Sequence, residues 1–386
     1  MSDARNPFAA GPGRRPPVLS GRDEVIASWI DQLERTGRGE SVAPMALLAP
    51  TGLGKTALLH ELARRADRAG WNPVVTAVGV GGHTLAETAR GLAAAVVGRS
   101  TSHPDTPSAP ELLRLIRAFG RHHGVDLAVG REPTDADLVR ARDLVAVLDA
   151  VGQAARHEQH GYAVLIDNAH FGDQHGVSEL LAASVEVSRR GGRLAVVIAG
   201  LPSLRESIAT AASICHTQFP VWPLAPLRDG EVSNALVTPA AALGITVTPA
   251  AITSIMRLTS GYPYFVQLIA HHLVESGAQV VGHSEVEAVA FAAEQDLRER
   301  FYRPVLDHFD AGHRRFLRAM ASFDAPPTYD EIAQRLGDTT RFDPELSALR
   351  SVYDHLISHG AIYVNAKGRL AFALPFFGRF LLGYDD

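Results

Sequence analysis

The chain has one cysteine, Cys215, in 386 residues. That excludes an intramolecular disulfide framework and any zinc site built from several thiolates, and it suits a reducing compartment. No stretch approaches the roughly 18 uninterrupted apolar residues that a membrane span needs. The opening "MSDARNPFAAGPGRRPP" lacks the apolar core of a signal peptide, so a cytoplasmic protein is expected. Basic charge is not in excess: 37 Lys and Arg stand against 42 Asp and Glu, a net −5, so nucleic-acid binding would need a local patch. The histidine pairs at 122–123 and 271–272 have no HExxH spacing, and adjacent residues on a helix point different ways, which argues against a metal site. The length allows roughly two to three domains of about 150 residues, and no internal repeat is found.

Lysine is almost missing as well. Of the 37 basic residues only Lys55 and Lys367 are lysines, leaving 37 − 2 = 35 arginines, a bias read as the pressure of a GC-rich genome. A lysine that persists against such pressure marks a position arginine does not fill. Lys55 lies in "MALLAPTGLGKTALLHELARRA", where Met45–Leu48 reads as a strand, Ala49–Lys55 as a loop and Thr56–Arg65 as a helix. Strand, glycine-rich loop and helix in this order form a phosphate-binding loop: successive backbone N–H groups and a helix N-terminus face the anion, the lysine reaches the outer phosphates, and the Thr56 hydroxyl meets magnesium. Gly52 and Gly54 let the backbone approach without a Cβ in the way. The pattern G-x-x-x-x-G-K-[ST] here begins with Ala49, which fits if its φ is negative; Pro50 biases it toward extended geometry.

"GYAVLIDNAH" follows a helix expected over Asp135–Arg156, and its apolar run Ala163–Ile166 fits a strand buried on both faces of a parallel sheet. Asp167 then emerges at the strand's C-terminal edge, where ligands bind in open α/β sheets. "RLAVVIAG" at 193–200 and "NPVVTAVGV" at 72–80 read as further strands. Together these predict an α/β P-loop NTPase domain. "GRSTSHPDTPSAP" at 98–110 reads as a loop, and 125–137 as a short hairpin or irregular insertion.

The segments "NPF…RRPPVLSGRDEVI", "APTGLGKT", "VLIDNAH", "VVIAGLPSL", "FPVWPLAPLRDGEV" and "TSGYPYFVQLIAHHL" stand in the order found in bacterial AAA+ ATPases. Over nearly its whole length the chain resembles the branch of that family similar to origin-recognition-type and STAND signalling ATPases. The resemblance implies ATP or ADP with Mg²⁺. Val18, Leu19 and Arg22 would line the adenine pocket, and Pro50, Thr51, Gly52, Leu53, Gly54, Lys55, Thr56 and Ala57 would wrap the phosphates. Thr56 and Asp167 would hold the metal, and Tyr262 and Pro263 of "GYP" would bring a lid to the nucleotide. The sequence departs from the family at Asn168, where a catalytic glutamate is expected, and at Ala199-Gly200, where a polar sensor residue often ends its strand. Pro263 takes the place of a lid arginine. Each departure weakens the case for fast hydrolysis.

The implied organisation is an N-terminal segment with the AAA+ domain over 1–227, a helical lid over 228–303 and a winged-helix domain over 304–386. Lid helices are expected at Pro249–Leu258, Tyr264–Ser276 and Ser284–Arg303. In the C-terminal part, three helical stretches precede two strand-like runs joined at Ala366-Lys367-Gly368. The recognition-helix candidate Asp343–His359 carries Asp343, Glu345 and Asp354 against Arg350, and 311–386 holds nine Lys/Arg and nine Asp/Glu. A phosphate-tracking surface needs clustered excess cation, which leaves Arg314, Arg315 and Arg318, or Lys367 and Arg369. A protein partner is therefore favoured over DNA, and a homo-oligomer is left open, with Arg189, Arg190 and Arg205 as candidate trans-acting arginines. Two readings stand: a slowly hydrolysing nucleotide-dependent switch, favoured by Asn168 and the balanced charge, and a cycling DNA-directed AAA+ ATPase of replication or mobile-element transactions.

Overall fold

Four consecutive apolar residues, all buried, make strand β1 (Met45–Leu48), and the same logic of continuous apolar runs builds the sheet around it. The computed structural model describes residues 6–8, 11, 13–103, 106–337 and 348–383. Its five parallel strands are β1, β2 (Trp71–Ala77), β3 (Gly161–Asp167), β4 (Leu194–Gly200) and β5 (Val221–Pro223), in the order β2-β3-β4-β1-β5. All seven residues of β3 and of β4 are buried, as in a parallel sheet covered on both faces. The register pairs Leu48 with Gly200, Ile166 with Ile198 and Ala77 with Asp167, so the C-terminal ends of β1, β4, β3 and β2 share one edge.

The chain divides into two units, and the sheet belongs to the one formed by residues 23–48 and 58–223. Eight helices bear on that part of the chain: α1 (Asp23–Gly37), α2 (Lys55–Arg68), α3 (Thr84–Ser102), α4 (Ala109–His122), α5 (Asp135–Arg140), α6 (Leu144–His157), α7 (Gln174–Arg189) and α8 (Arg205–Cys215). The division cuts α2 after Ala57. Val164, Ile166, Val196 and Ile198 meet Leu92, Ile116, Phe119, Leu148 and Leu180 in one apolar core, each such side chain stabilising by about 1.5–3 kcal/mol. Trp29 of α1 is fully buried and its Nε1 donates to the Leu62 carbonyl at 2.9 Å, which satisfies the indole in the core. β3 begins with Gly161 because a Cβ there would lie 2.2 Å from the ring of Trp71, its register partner on β2.

Several expectations are corrected. The single helix expected over Asp135–Arg156 is two, because Asp143 leaves helical geometry (φ −100°, ψ 106°) and its carboxylate accepts the Val145 N–H at 2.9 Å, capping α6. The loop expected over 98–110 is shorter. Ser100, Thr101 and Ser102 return their hydroxyls to the carbonyls of Val97 and Gly98 and extend α3, so only 103–108 connect it to α4, with 104–105 outside the described residues. Residues 125–134 form no strand among the described residues. β5 is a strand the sequence reading did not identify.

The second unit comprises residues 1–22, 49–57 and 224–386. Its helices are α9 (Asp229–Ala241), α10 (Pro249–Thr259), α11 (Pro263–Glu275) and α12 (His283–Leu297), followed by a π-helical turn (Arg298–Tyr302) and α13 (Arg303–Asp307). Two-residue strands β6 (Thr246–Val247) and β7 (Val280–Val281) pair in parallel. Phe8 enters the apolar cluster of Val232, Leu236, Ile255, Val266 and Val286, and the Asn6 amide donates to the His271 carbonyl at 3.0 Å, so "NPF" anchors the N-terminal segment to these helices. The C-terminal part continues with α14 (Ala311–Ala321), α15 (Tyr329–Leu336), α16 (Ala348–Ser358), the antiparallel pair β8 (Ile362–Val364) and β9 (Leu370–Phe372), and α17 (Phe377–Leu382), which had not been expected. Residues 343–347 of the expected recognition helix lie outside the described residues. Gly368 (φ +71°) and the Asn365 side chain, which accepts the Lys367 and Arg369 N–H groups, make the turn between β8 and β9.

Candidate functional site

The segment 49–57 leaves β1 and runs into α2. Gly52 (φ +86°) and Gly54 (φ +84°) occupy the left-handed region that other residues enter at a cost. Ala49 keeps a negative φ, so alanine fits where the pattern asks for glycine. Lys55 is buried, and its Nζ donates to the carbonyls of Ala49 at 2.7 Å and Pro50 at 2.9 Å, folding the side chain back along the loop.

Three other segments of its unit bond the loop backbone. The Thr51 N–H donates to the Ala373 carbonyl at 2.7 Å, and the Gly52 carbonyl accepts the Tyr264 N–H at 3.3 Å. The Leu53 carbonyl accepts Nη2 of Arg22 at 3.2 Å. A Cβ on Gly52 would sit 3.7 to 3.9 Å from Tyr264, Phe301 and Pro375. Pro375 is itself fixed, since its carbonyl accepts the buried Tyr302 hydroxyl at 2.8 Å; burial pushes that phenol's pKa well above its ordinary value. Ala373, Tyr264 and Tyr302 were missed from the sequence; no motif marks a carbonyl acceptor, although Tyr264 adjoins the "GYP" that was identified.

At the sheet edge, Asp167 is 6% exposed and its Oδ1 accepts the Asn168 N–H at 2.8 Å. Asn168 stands in left-handed geometry (φ 53°, ψ 31°) and opens the short turn Ala169–Phe171. Asparagine tolerates this conformation better than glutamate does, so the residue has a backbone reason to be there. The glycine at the end of β4 is closely packed. A Cβ on Gly200 would meet Leu204 Cδ1 at 2.5 Å and His170 Nδ1 at 3.0 Å, so a side chain there requires both neighbouring side chains to move.

Val18 and Leu19 are half-buried in the N-terminal segment, and Arg22 is buried. Besides Leu53, its guanidinium donates to Gly21 O at 2.9 Å and to Ala225 O at 2.9 Å. Burial lowers the pKa of Arg22, against the opposing pull of the Glu231 carboxylate. Tyr262 and Pro263 are half-buried at the start of α11, with Pro263 as its first residue. Arg189 is engaged with Cys215 O and Thr217, and Arg190 with Glu186, whereas Arg205 is exposed at the start of α8. Among the described residues no helix is long and apolar enough to cross a membrane.

Residues 18–198 match the family described as AAA ATPase domain, and residues 299–381 match a domain of unknown function, DUF8462. No curated protein matches the chain. Solved structures similar to it include the Walker-type ATPase PABY2304 of Pyrococcus abyssi, at 14% identity over 97% of this chain and 99% of that one with a TM-score of 0.59. The Aeropyrum pernix ORC2 protein, solved in ADPNP–ADP complexes, is 14% identical over 97% of this chain and 95% of its own, with a TM-score of 0.53. At such identity the likeness is one of fold. Residues 18–198 match an AAA ATPase domain, and the phosphate-loop motif and the five-stranded parallel sheet agree with the AAA+ P-loop fold.

Proposed function

We propose that the protein is a nucleotide-dependent switch that binds ATP or ADP with Mg²⁺, hydrolyses slowly and presents its C-terminal domain, read as a winged helix, to a protein partner. The observation that carries this reading is the bond from Thr51 of the phosphate loop to Ala373 beside β9. A loop tied through its own backbone to the C-terminal domain gives nucleotide occupancy a direct route to that domain. In this reading 1–227, 228–303 and 304–386 act as nucleotide-binding domain, lid and output domain. Val18 and Leu19 meet the adenine, residues 50–57 hold the phosphates, and Thr56 and Asp167 hold the metal. Tyr262 and Pro263 face the nucleotide from the lid. Asn168 can hydrogen-bond an attacking water but cannot take its proton at neutral pH.

The charge of the C-terminal domain supports a protein partner. Arg315 donates to Leu336 O, Arg350 pairs with Asp354, and Arg369 bonds Pro326 O and Glu331, so these guanidinium groups are already engaged by the domain itself. The alternative, a cycling DNA-directed ATPase in a reducing cytoplasm, draws on the fold shared with the ORC2 protein.

The test measures nucleotide in the purified protein, ATP affinity by calorimetry with Mg²⁺, and turnover. Wild-type protein should bind nucleotide and release it over many minutes. Lys55→Ala should lose most of the affinity, because the ammonium is the loop's point charge on the outer phosphates. Equal affinity in wild type and variant defeats the reading.

A further inference from the structure

In a phosphate loop the useful groups are backbone N–H donors, and each shares a rigid, planar peptide with the preceding carbonyl. In a trans peptide the two point in opposite directions. Whatever holds the carbonyl therefore aims the N–H. Arg22 holds the Leu53 carbonyl at 3.2 Å, and the N–H of that same peptide belongs to Gly54, a residue at φ +84°. Glycine has the widest backbone freedom of any residue, so a bond to this peptide's carbonyl limits the directions its N–H can take.

The guanidinium is placed to supply it. It is buried, it reaches Ala225 O at 2.9 Å on the segment leading into α9, and it folds onto Gly21 O at 2.9 Å. Gly21 in turn packs against the Glu231 carboxylate of α9, where a Cβ would come within 2.7 Å. Nη2 alone donates to both Leu53 O and Ala225 O while Nη1 bonds Gly21 O, and the rigid guanidinium plane fixes these directions, which a lysine's freely rotating ammonium on a flexible stem does not.

We infer that Arg22 is a positioning residue for the phosphate loop: through the Leu53 carbonyl it aims the Gly54 N–H toward the phosphates, and through Ala225 it ties that peptide to the base of the lid. This rests on the nucleotide reading of the loop and replaces, for Arg22 alone, the expected contact with adenine. A residue that touches the base sets the preference for adenine. A residue that aims a loop amide sets affinity for the phosphate chain, whatever base is attached.

The experiment compares full-length wild type, Arg22→Lys and Arg22→Met by calorimetry with ATP, GTP and inorganic tripolyphosphate, each with Mg²⁺. Melting temperatures and hydrogen exchange of residues 50–57 are followed alongside. Losing charged hydrogen bonds of this kind should weaken tripolyphosphate and ATP by the same factor, about tenfold or more. The ATP-to-GTP ratio should stay unchanged, and exchange in the loop should speed up. Arg22→Lys keeps the charge and an aliphatic stem, is expected to be the milder change for folding, and should show the same pattern even where Arg22→Met does not fold. Unchanged tripolyphosphate affinity with a collapsed ATP-to-GTP ratio would overturn the inference in favour of a base contact. A lower melting temperature with unaltered affinity would overturn it in favour of a purely structural role. A wild type that binds neither ATP nor tripolyphosphate would overturn the nucleotide reading with it.

Discussion

Asn168 is legible in the sequence as a departure but not as a conformation. "VLIDNAH" shows that the glutamate is missing; only the backbone at φ 53° shows that its replacement also suits a left-handed turn. The two facts pull a single experiment in opposite directions. Asn168→Glu restores a proton acceptor, and turnover should rise, by as much as about 10²-fold or more if a general base is what the wild type lacks. The same change should lower stability by about 1–2 kcal/mol, because glutamate pays the left-handed penalty that asparagine partly avoids. Single-turnover hydrolysis and denaturant melts on the same samples check both. Brisk wild-type hydrolysis that the glutamate does not raise would move the assignment to the cycling ATPase. The two loop glycines were readable because a left-handed backbone favours that one residue type, whereas Lys55 and Asp167 were singled out by motif for roles that belong to the proposed nucleotide site. Ala373 and Tyr264 act through backbone atoms that every residue carries, so their identity leaves no trace in the sequence.

The strands were the most readable elements, since a parallel sheet covered on both faces asks for unbroken apolar runs and β1, β3 and β4 supply them. Helix ends were less readable. Asp143 interrupts a run whose apolar spacing continues on either side, and the serines and threonine at 100–102 look like loop residues while their hydroxyls fold back onto α3. β5 is short and ends in proline, with none of the length by which strands are found. One element-level constraint follows from Gly161. Placing a methyl group against the Trp71 ring forces β2 and β3 apart or turns the indole out of its site, so Gly161→Ala should destabilise by about 1–3 kcal/mol, as overpacking does. The measurement is chemical denaturation followed by tryptophan fluorescence. An unchanged midpoint would mean that the ring yields at no cost.

For the whole molecule, net charge was legible and its arrangement was not. A count of nine cations and nine anions over 311–386 leaves open a basic face; the pairing of Arg315, Arg350 and Arg369 with the domain's own carbonyls and carboxylates argues against one. Duplex DNA should therefore bind the full chain weakly at physiological salt, and whatever binding occurs should fall with a log–log slope of about −0.9 per phosphate neutralised. Tight, sequence-selective binding measured by fluorescence anisotropy would instead favour the DNA-directed reading, and neutralising Arg314, Arg315 and Arg318 should then flatten the slope. The bond between Thr51 and Ala373 also bears on the order in which the protein comes into being. A nascent chain emerges N-terminus first, so residues 23–223, with every strand of the sheet, have been made well before Ala373 leaves the ribosome. The phosphate loop then gains one of its holds only when the last part of the chain arrives. A fragment ending near 300 would carry the whole motif in its sequence and still lack that hold on the loop, so the motif is complete in sequence before its backbone is fully held.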